Sequence, residues 1–492
     1  MNALLQSIEA RTGKPIGEGW PESTAAGIDQ AARVSAAAAD AFAATSAAQR
    51  AVLLRALAAA LEADREALVA LADRESGLGL PRLNGELDRT TFQLRGFADV
   101  LERGDAHAVI DDAAIAGAPP AGRPRLARVR VPLGPVAMFA ASNFPFAFSV
   151  LGGDTASALA AGCPVVVKGH PAHPALSRRT AALAQQVVAT QGLPAGVFQF
   201  VEGGSVDVGV ALVKAPAIAA VAFTGSFKGG TALAKITAER PRPIPFYGEL
   251  GSVNPLVVLP AALATNSDEL AGTLAASICL GAGQFCTSPG VIVVPTGAAG
   301  DGFVQAFAQA LKALQPHAML SAGIRATFDR GVAQWRAAPQ LKPLLDEASD
   351  GIAPRPFLAE AQAADFIASP ALHEEVFGSA ALVVRVASTD ETVSVLKAVG
   401  GSLTVTLWGA EADSDDTRRL VRAATQVAGR VLFSGVPTGV AVTSAQQHGG
   451  PYPASTQPFT TSVGYAALDR FLRPVALQDA PSWLIERKGV PC

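Results

Sequence analysis

Between residues 136 and 260 one rhythm repeats. VAMFAA (136–141), PVVVKG (164–169), VFQFVEG (197–203), AAVAFTG (219–225) and NPLVVLP (254–260) are short runs rich in β-branched and apolar residues. Helical stretches at 154–161, 176–191 and 205–214 separate the first four. Runs that are apolar throughout, without alternation, suit strands buried on both faces. Strands that alternate with helices pair in parallel through crossover connections. The rhythm resumes after residue 290 with VIVVP (291–295), ALVVRV (381–386), SLTVTLWG (402–409) and GRVLFSG (429–435), and with helices over 301–314, 389–399 and 413–427. This pattern predicts an α/β protein with two parallel-sheet domains and a boundary near 250–260.

The flanking segments read differently. Residues 26–75 and 85–103 carry apolar residues at three- and four-residue spacing and read as helix. RLARVRVPLGP (125–135) alternates apolar and basic residues, as a half-exposed strand does, and suits an arm at a subunit edge. DRFLRPVALQD, in the tail, is also strand-like. Half of the 492 residues are hydrophobic, only 16% are charged and the net charge is −3, which gives a large core and no basic stripe for nucleic acid. Four cysteines (Cys163, Cys279, Cys286, Cys492) without a CxxC pair make neither a disulfide framework nor a zinc site, so no metal is expected. Residues 1–20 lack the basic start and apolar run of a secretory leader, and the apolar stretch 136–153 is broken by Asn, Pro and Gly. The expectation is a cytoplasmic protein with no membrane span.

Two segments carry nucleophile chemistry. Cys286 sits in GAGQFCTSPG (281–290) and Glu249 in YGELGSVNP (247–255), each in a Gly-flanked turn. Cysteine attacks only as thiolate and needs a base or an electropositive setting. Flanking glycines let backbone N–H groups and a ligand come close. A lone cysteine reads first as a buried structural thiol; it is the accompanying segments that turn the reading. AFTGSFKGG (222–230) is a strand, a Gly-rich turn and a helix start, which can present N–H groups to a phosphate. Lys168 ends a buried strand, where open α/β sheets bind ligands, or it is a solvated lysine at the sheet rim. Asn143 in ASNFPFAF is either a turn former or a donor to an oxyanion. HEEVFG (373–378) holds two carboxylates, solvated or gripping a sugar hydroxyl.

Taken in order, ASNFPF, VVKGHP, FTGS, ELG, GQFC and EVFG resemble the NAD(P)-dependent aldehyde dehydrogenases over nearly the whole chain. The resemblance implies that Cys286 attacks an aldehyde to form a thiohemiacetal, with Asn143 and the Cys286 backbone N–H holding the oxyanion. NADP or NAD takes the hydride, and Glu249 activates the water that hydrolyses the thioester. Lys168 and Glu375 would bind cofactor ribose hydroxyls, Gly225 and Ser226 would lie under the pyrophosphate, and Phe377 would complete the cofactor contacts. A tethered thiohemiacetal is an oriented hydride donor, so the chemistry suits the residues. The implied domains are a Rossmann-like cofactor-binding domain (1–105 and 132–253), a catalytic domain (254–465) and a small β oligomerisation element (106–131 and 466–492), in a homodimer or homotetramer.

Departures and branch features narrow this. Ser252 and Ser379 stand where many members have glycine and proline. Pro171 stands where many NAD-preferring members have a glutamate on the adenosine ribose, which implies that NADP is accepted. KGHPAHP, ELGSVNP, HGGPYPAS (448–455) and the tail are similar to the branch of 2-oxoglutarate semialdehyde (2,5-dioxopentanoate) dehydrogenases and of NADP-dependent long-chain aldehyde dehydrogenases. A substrate carboxylate calls for an arginine. By the resemblance Arg89 faces the substrate tunnel; otherwise it is a surface arginine paired with Glu86. Phe144, Leu94 and Phe97 are wall or core. The expected activity is oxidation of 2-oxoglutarate semialdehyde. An aliphatic aldehyde dehydrogenase using NADP, a thioesterase-like cysteine hydrolase and a catalytically silent protein on the same fold are the alternatives. Cys163, Cys279 and Cys492 are expected to be structural, and His170, His173 and His448 to have no catalytic role.

Overall fold

The computed structural model describes residues 4–349 and 351–485; Cys492 lies outside them. Five parallel strands form the first sheet, in the order Phe198–Val201, Val165–Lys168, Val136–Phe139, Ala220–Thr224, Phe246–Glu249. Chain order reverses between Val136–Phe139 and Ala220–Thr224, so the connections leave in opposite directions and a crevice opens at the carboxyl edge. Alternate residues feed two cores. Met138, Val165 and Val167 pack with the helices Ala47–Ala63 and Leu80–Arg103, while Ala137, Phe139 and Val166 pack with Ile28 and Leu212. Val165, Val166 and Val167 have no exposed surface, each contributing about 1.5–3 kcal/mol by burial.

The second sheet has seven strands, in the order Lys342–Asp346, Phe357–Gln362, Ala380–Val386, Val291–Pro295, Leu256–Val258, Ser402–Trp408, Ala428–Leu432. Only the edge strand Lys342–Asp346 is antiparallel. A third, antiparallel sheet joins Leu472–Gln478, Leu126–Pro132 and Ile110–Asp112, with Val109, Ile110 and Ile115 exposed. Among the described residues no helix is long and apolar enough to cross a membrane.

The N-terminal helical region is three helices, Ala25–Ala43, Ala47–Ala63 and Arg65–Ser76, not one continuous stretch. Ser46 and Gln49 form a reciprocal capping box that restarts the chain after Phe42. The next helix begins at Leu80, before residue 85, with a proline in its first turn. It buries Leu83, Leu87, Leu94 and Phe97 on one face, so Leu94 and Phe97 belong to the core and not to a pocket wall. Glu249 is the last residue of a strand, Phe246–Glu249, where a turn was expected. Pairing with Ala220–Thr224 extends this Gly- and Tyr-containing segment.

Candidate active site

Cys286 follows a turn of uncommon backbone. After the helix Pro260–Cys279, Gly281, Ala282 and Gly283 take left-handed φ angles of 59°, 56° and 71°. For Ala282 this costs about 1–2 kcal/mol, and close packing enforces it: a side chain at 281 would overlap the Arg82 guanidinium, and one at 283 the Gly378 peptide. On the far side, Asn254 donates through Nδ2 to the carbonyls of Cys286 (2.8 Å) and Ser288 (3.0 Å). Ser252 in turn donates to Asn254 Oδ1 at 2.7 Å and accepts the Leu403 N–H at 2.8 Å. That double bond gives the serine in ELGS a physical reason.

Three reactive groups converge at the sulfur. His448 Nε2 lies 3.0 Å from Glu249 Oε1 and 3.5 Å from Cys286 Sγ, and the Ser462 hydroxyl donates to Glu249 Oε2. An ionised carboxylate only accepts, so the hydrogen-bond network assigns the imidazole hydrogen to Nε2. Nδ1 is buried without a partner among the described residues. Burial would raise the Glu249 carboxyl, but His448 and Ser462 hold it below its usual range. Burial and the neighbouring Glu249 push the Cys286 thiol well above its ordinary value, against the pull of Arg89. The resting nucleophile is therefore a thiol.

Sequence reasoning expected no catalytic role for His448, and the structure puts it in contact with both groups. Its position is set by a fold-back: His448 N–H donates to Thr461 Oγ1 at 2.8 Å, Ser462 N–H to the His448 carbonyl at 2.8 Å, and Leu250 N–H to the Ala454 carbonyl at 2.8 Å. The only local signal is a histidine leading into Gly449 and Gly450. The donor atoms of Glu249, Cys286 and His448 lie within 4.8 Å of one another, a set that suits zinc; an ion there would occupy the thiol. His173 is bonded to the Ala141 carbonyl (3.0 Å) and Ser177 Oγ (3.1 Å), and His170 Nδ1 accepts the Ala172 N–H at 3.1 Å, both roles in shaping loops.

Two cavities meet at Cys286. One, of about 410 Å³, runs along the carboxyl edge of the five-stranded sheet and is lined by Asn143, Gly225, Ser226, Glu249, Glu375 and Phe377. Ser226 caps the helix Phe227–Ala238 by accepting the Gly229 N–H. A side chain at Gly251 would come within 2.5 Å of Glu375 Oε2, so the glycine lets that carboxylate reach the cleft. Lys168, at the neighbouring strand end, is pressed down to about 8 by desolvation, with Glu22 opposing. Strand ends, a capped helix start, a lysine and a carboxylate around one crevice fit a pyridine dinucleotide.

The other cavity, of about 280 Å³, is lined by Arg82, Glu86, Arg89, Phe144, Phe148 and Phe285. Arg89 lies over the Phe148 ring at 5.3 Å, and Arg82 over Phe144 and Phe285 at 5.2 and 4.7 Å. Glu86 Oε1 accepts the N–H groups of Phe146 (2.7 Å) and Ala147 (3.0 Å) and is buried, so no surface pair with Arg89 exists. Arg89 Nε and Nη2 are buried and have no hydrogen-bond partner among the described residues. Asn143 is held on both sides: its Nδ2 donates to the Gln284 carbonyl at 3.0 Å and its backbone carbonyl accepts from Arg82 Nη2 at 2.7 Å. One amide hydrogen of Asn143 is left over.

Comparison with known proteins finds aldehyde dehydrogenases. The profile described as "Aldehyde dehydrogenase family" matches residues 2–332. The chain is 43% identical to α-ketoglutaric semialdehyde dehydrogenase 2 of Azospirillum brasilense over 487 residues, covering 98% of this chain and 92% of the relative. It is 38% identical to α-ketoglutaric semialdehyde dehydrogenase of Acinetobacter baylyi over 489 residues, covering 98% and 92%. The fold is similar to that of a NAD-dependent aldehyde dehydrogenase from Sinorhizobium meliloti, with TM-score 0.82 and 22% identity over 97% of this chain and 92% of the other.

Proposed function

The chain belongs to the aldehyde dehydrogenase family, and from that premise we propose that it oxidises 2-oxoglutarate semialdehyde to 2-oxoglutarate with NAD or NADP as acceptor. One observation carries the reading: Cys286 lines both the dinucleotide cleft and the arginine-bearing pocket, so a carbon bonded to its sulfur is open to both.

Cys286 Sγ attacks the aldehyde carbon, and the thiol proton passes to water in the pocket as the S–C bond forms. Arg89 favours the thiolate needed for this step, opposing burial. The free amide hydrogen of Asn143 and the Cys286 backbone N–H hold the new oxyanion. The nicotinamide, when bound, accepts the hydride. Lys168 and Glu375 would hold the cofactor sugars, Gly225 and Ser226 would receive the pyrophosphate, and Phe377 would complete the cofactor contacts. Glu249, kept ionised and oriented by His448 and Ser462, takes a proton from the water that attacks the thioester, releasing the acid and the thiol. His448 is a positioning residue for both partners.

The pocket supports the substrate. Two guanidiniums against one carboxyl leave it positive, and Arg89 Nε and Nη2 form the edge of a fork that takes a carboxylate in two bonds. The relatives named for α-ketoglutaric semialdehyde, the same compound, fit that pocket. The sheet 136–249 would carry the nucleotide and the sheet 256–432 the nucleophile, with the three-stranded arm pairing between subunits of a homo-oligomer. The aromatic walls favour one rival, an unbranched aliphatic aldehyde. Absorbance at 340 nm, with NAD and NADP each against 2-oxoglutarate semialdehyde, glutaraldehyde and a medium-chain aldehyde, separates them. Preference for the aliphatic aldehyde would remove the carboxylate from the pocket and leave the cysteine chemistry standing.

A further inference from the structure

The loop beyond Lys168 lacks a carboxylate at 171, yet one stands there from elsewhere. Glu22 comes from the N-terminal segment, far away in sequence. Its Oε1 accepts the N–H groups of Gly204 (2.6 Å) and Ser205 (2.9 Å), and its Oε2 accepts the Ser205 hydroxyl at 2.6 Å. These donors begin the helix Val206–Lys214, which follows the strand next to Lys168. A side chain at Gly204 would lie 3.5 Å from Glu22 Oε1 and 3.6 Å from Pro171 Cβ, so carboxylate and proline flank the same spot. The segment is fastened in register: Ser23 N–H donates to the Glu202 carbonyl at 2.8 Å and Glu202 N–H to Ser23 Oγ at 3.0 Å. Trp20 stacks on Arg178 at 4.1 Å, and Arg178 pairs with Glu202.

We infer that Glu22 is a cofactor-specificity residue, replacing from the N-terminal segment the carboxylate absent at 171 and selecting NAD over NADP. The inference rests on the reading that the adenosine ribose lies by Lys168. A helix start with free N–H groups beside a lysine is a natural seat for a 2′-phosphate. Here those N–H groups are already bonded to a carboxylate, which also neutralises the lysine and repels a dianion. A carboxylate has about four lone-pair sites; three are used, and the fourth, on Oε2, can accept a ribose hydroxyl. Burial would raise Glu22, but Ser205, Gly204 and Lys168 hold it below its usual range, so it is charged at neutral pH.

The test reads binding as well as turnover. Calorimetry with 5′-AMP and 2′,5′-ADP isolates this corner, and kcat/KM with NAD and NADP reports on the whole cofactor. The native chain is expected to favour the unphosphorylated ligand in both measurements. Glu22→Gln, of the same shape, and Glu22→Ala are expected to strengthen 2′,5′-ADP binding and raise kcat/KM for NADP by about tenfold, one unit of charge at close range, with the change carried by KM. A native preference for NADP, or a ratio unmoved in both variants, overturns the inference. Lys168→Ala separates the two levels. If it leaves binding of both adenosine ligands unchanged, the ribose is not at Lys168 and the placement itself fails; if it weakens them while Glu22 variants do nothing, only the role of Glu22 fails.

Discussion

The two cavities that meet at Cys286 are made of different material. The dinucleotide cleft is shaped by backbone: strand ends, the turn at Gly225, the glycine that admits Glu375 and the left-handed run before Cys286. The substrate pocket is shaped by side chains, chiefly Arg82, Glu86 and Arg89 on one helix and three phenylalanines around them. A backbone-built cleft is fixed by geometry and tolerates little change at its glycines. A pocket built from three charged groups can be given another specificity by one substitution, without altering the chemistry at the sulfur.

Cys286→Ala breaks the junction and should have the largest effect. Turnover is expected to fall by about 10⁴-fold or more, while calorimetry shows nucleotide affinity at the native level; turnover within tenfold of native would end the covalent mechanism. Glu249→Gln should slow steady-state turnover by about 10³-fold yet leave a burst of reduced nucleotide in stopped flow, because hydride departure precedes its step. Loss of the burst would move Glu249 to thiol activation. Arg89→Met sharpens the contrast between the cavities: kcat/KM for 2-oxoglutarate semialdehyde should drop about 10²-fold, with no loss for an unbranched aldehyde of similar length. An equal loss for both substrates would make Arg89 structural.

The smallest effect concerns pH. Glu249 raises the Cys286 thiol, so its negative charge disfavours the thiolate. In Glu249→Gln that charge is gone and the thiol midpoint must fall. Alkylation by iodoacetamide followed against pH should then begin at lower pH than in the native protein. A midpoint that stays put or rises would mean that the carboxylate does not face the sulfur.

The same division of material decided what could be read in advance. Lys168, Asn143 and Ser226 sit at or just after strand ends, and buried apolar runs mark strand ends clearly. The helix bearing Arg89 was legible too, and the resemblance turned Arg89 inward; periodicity could not exclude a surface pair with Glu86, because Glu86 binds the N–H groups of Phe146 and Ala147, some 60 residues away. His448 reaches Glu249 across 199 positions through a loop without periodicity. The strand Phe357–Gln362 is made of residues that favour helix, and its place between two other strands overrides them. Glu22 was invisible for the simplest reason: its partners, Gly204 and Ser205, lie 182 and 183 positions away, and no periodicity links them.

At Gly283 the turn that carries the nucleophile lies directly against the Gly378 peptide, with no room for a single methyl group between them. Gly378 closes the loop that presents Glu375 and Phe377. Two peptides in such contact cannot be displaced independently, as two meshed teeth cannot. A shift of the loop that carries Glu375 would therefore be felt at the turn that carries the sulfur.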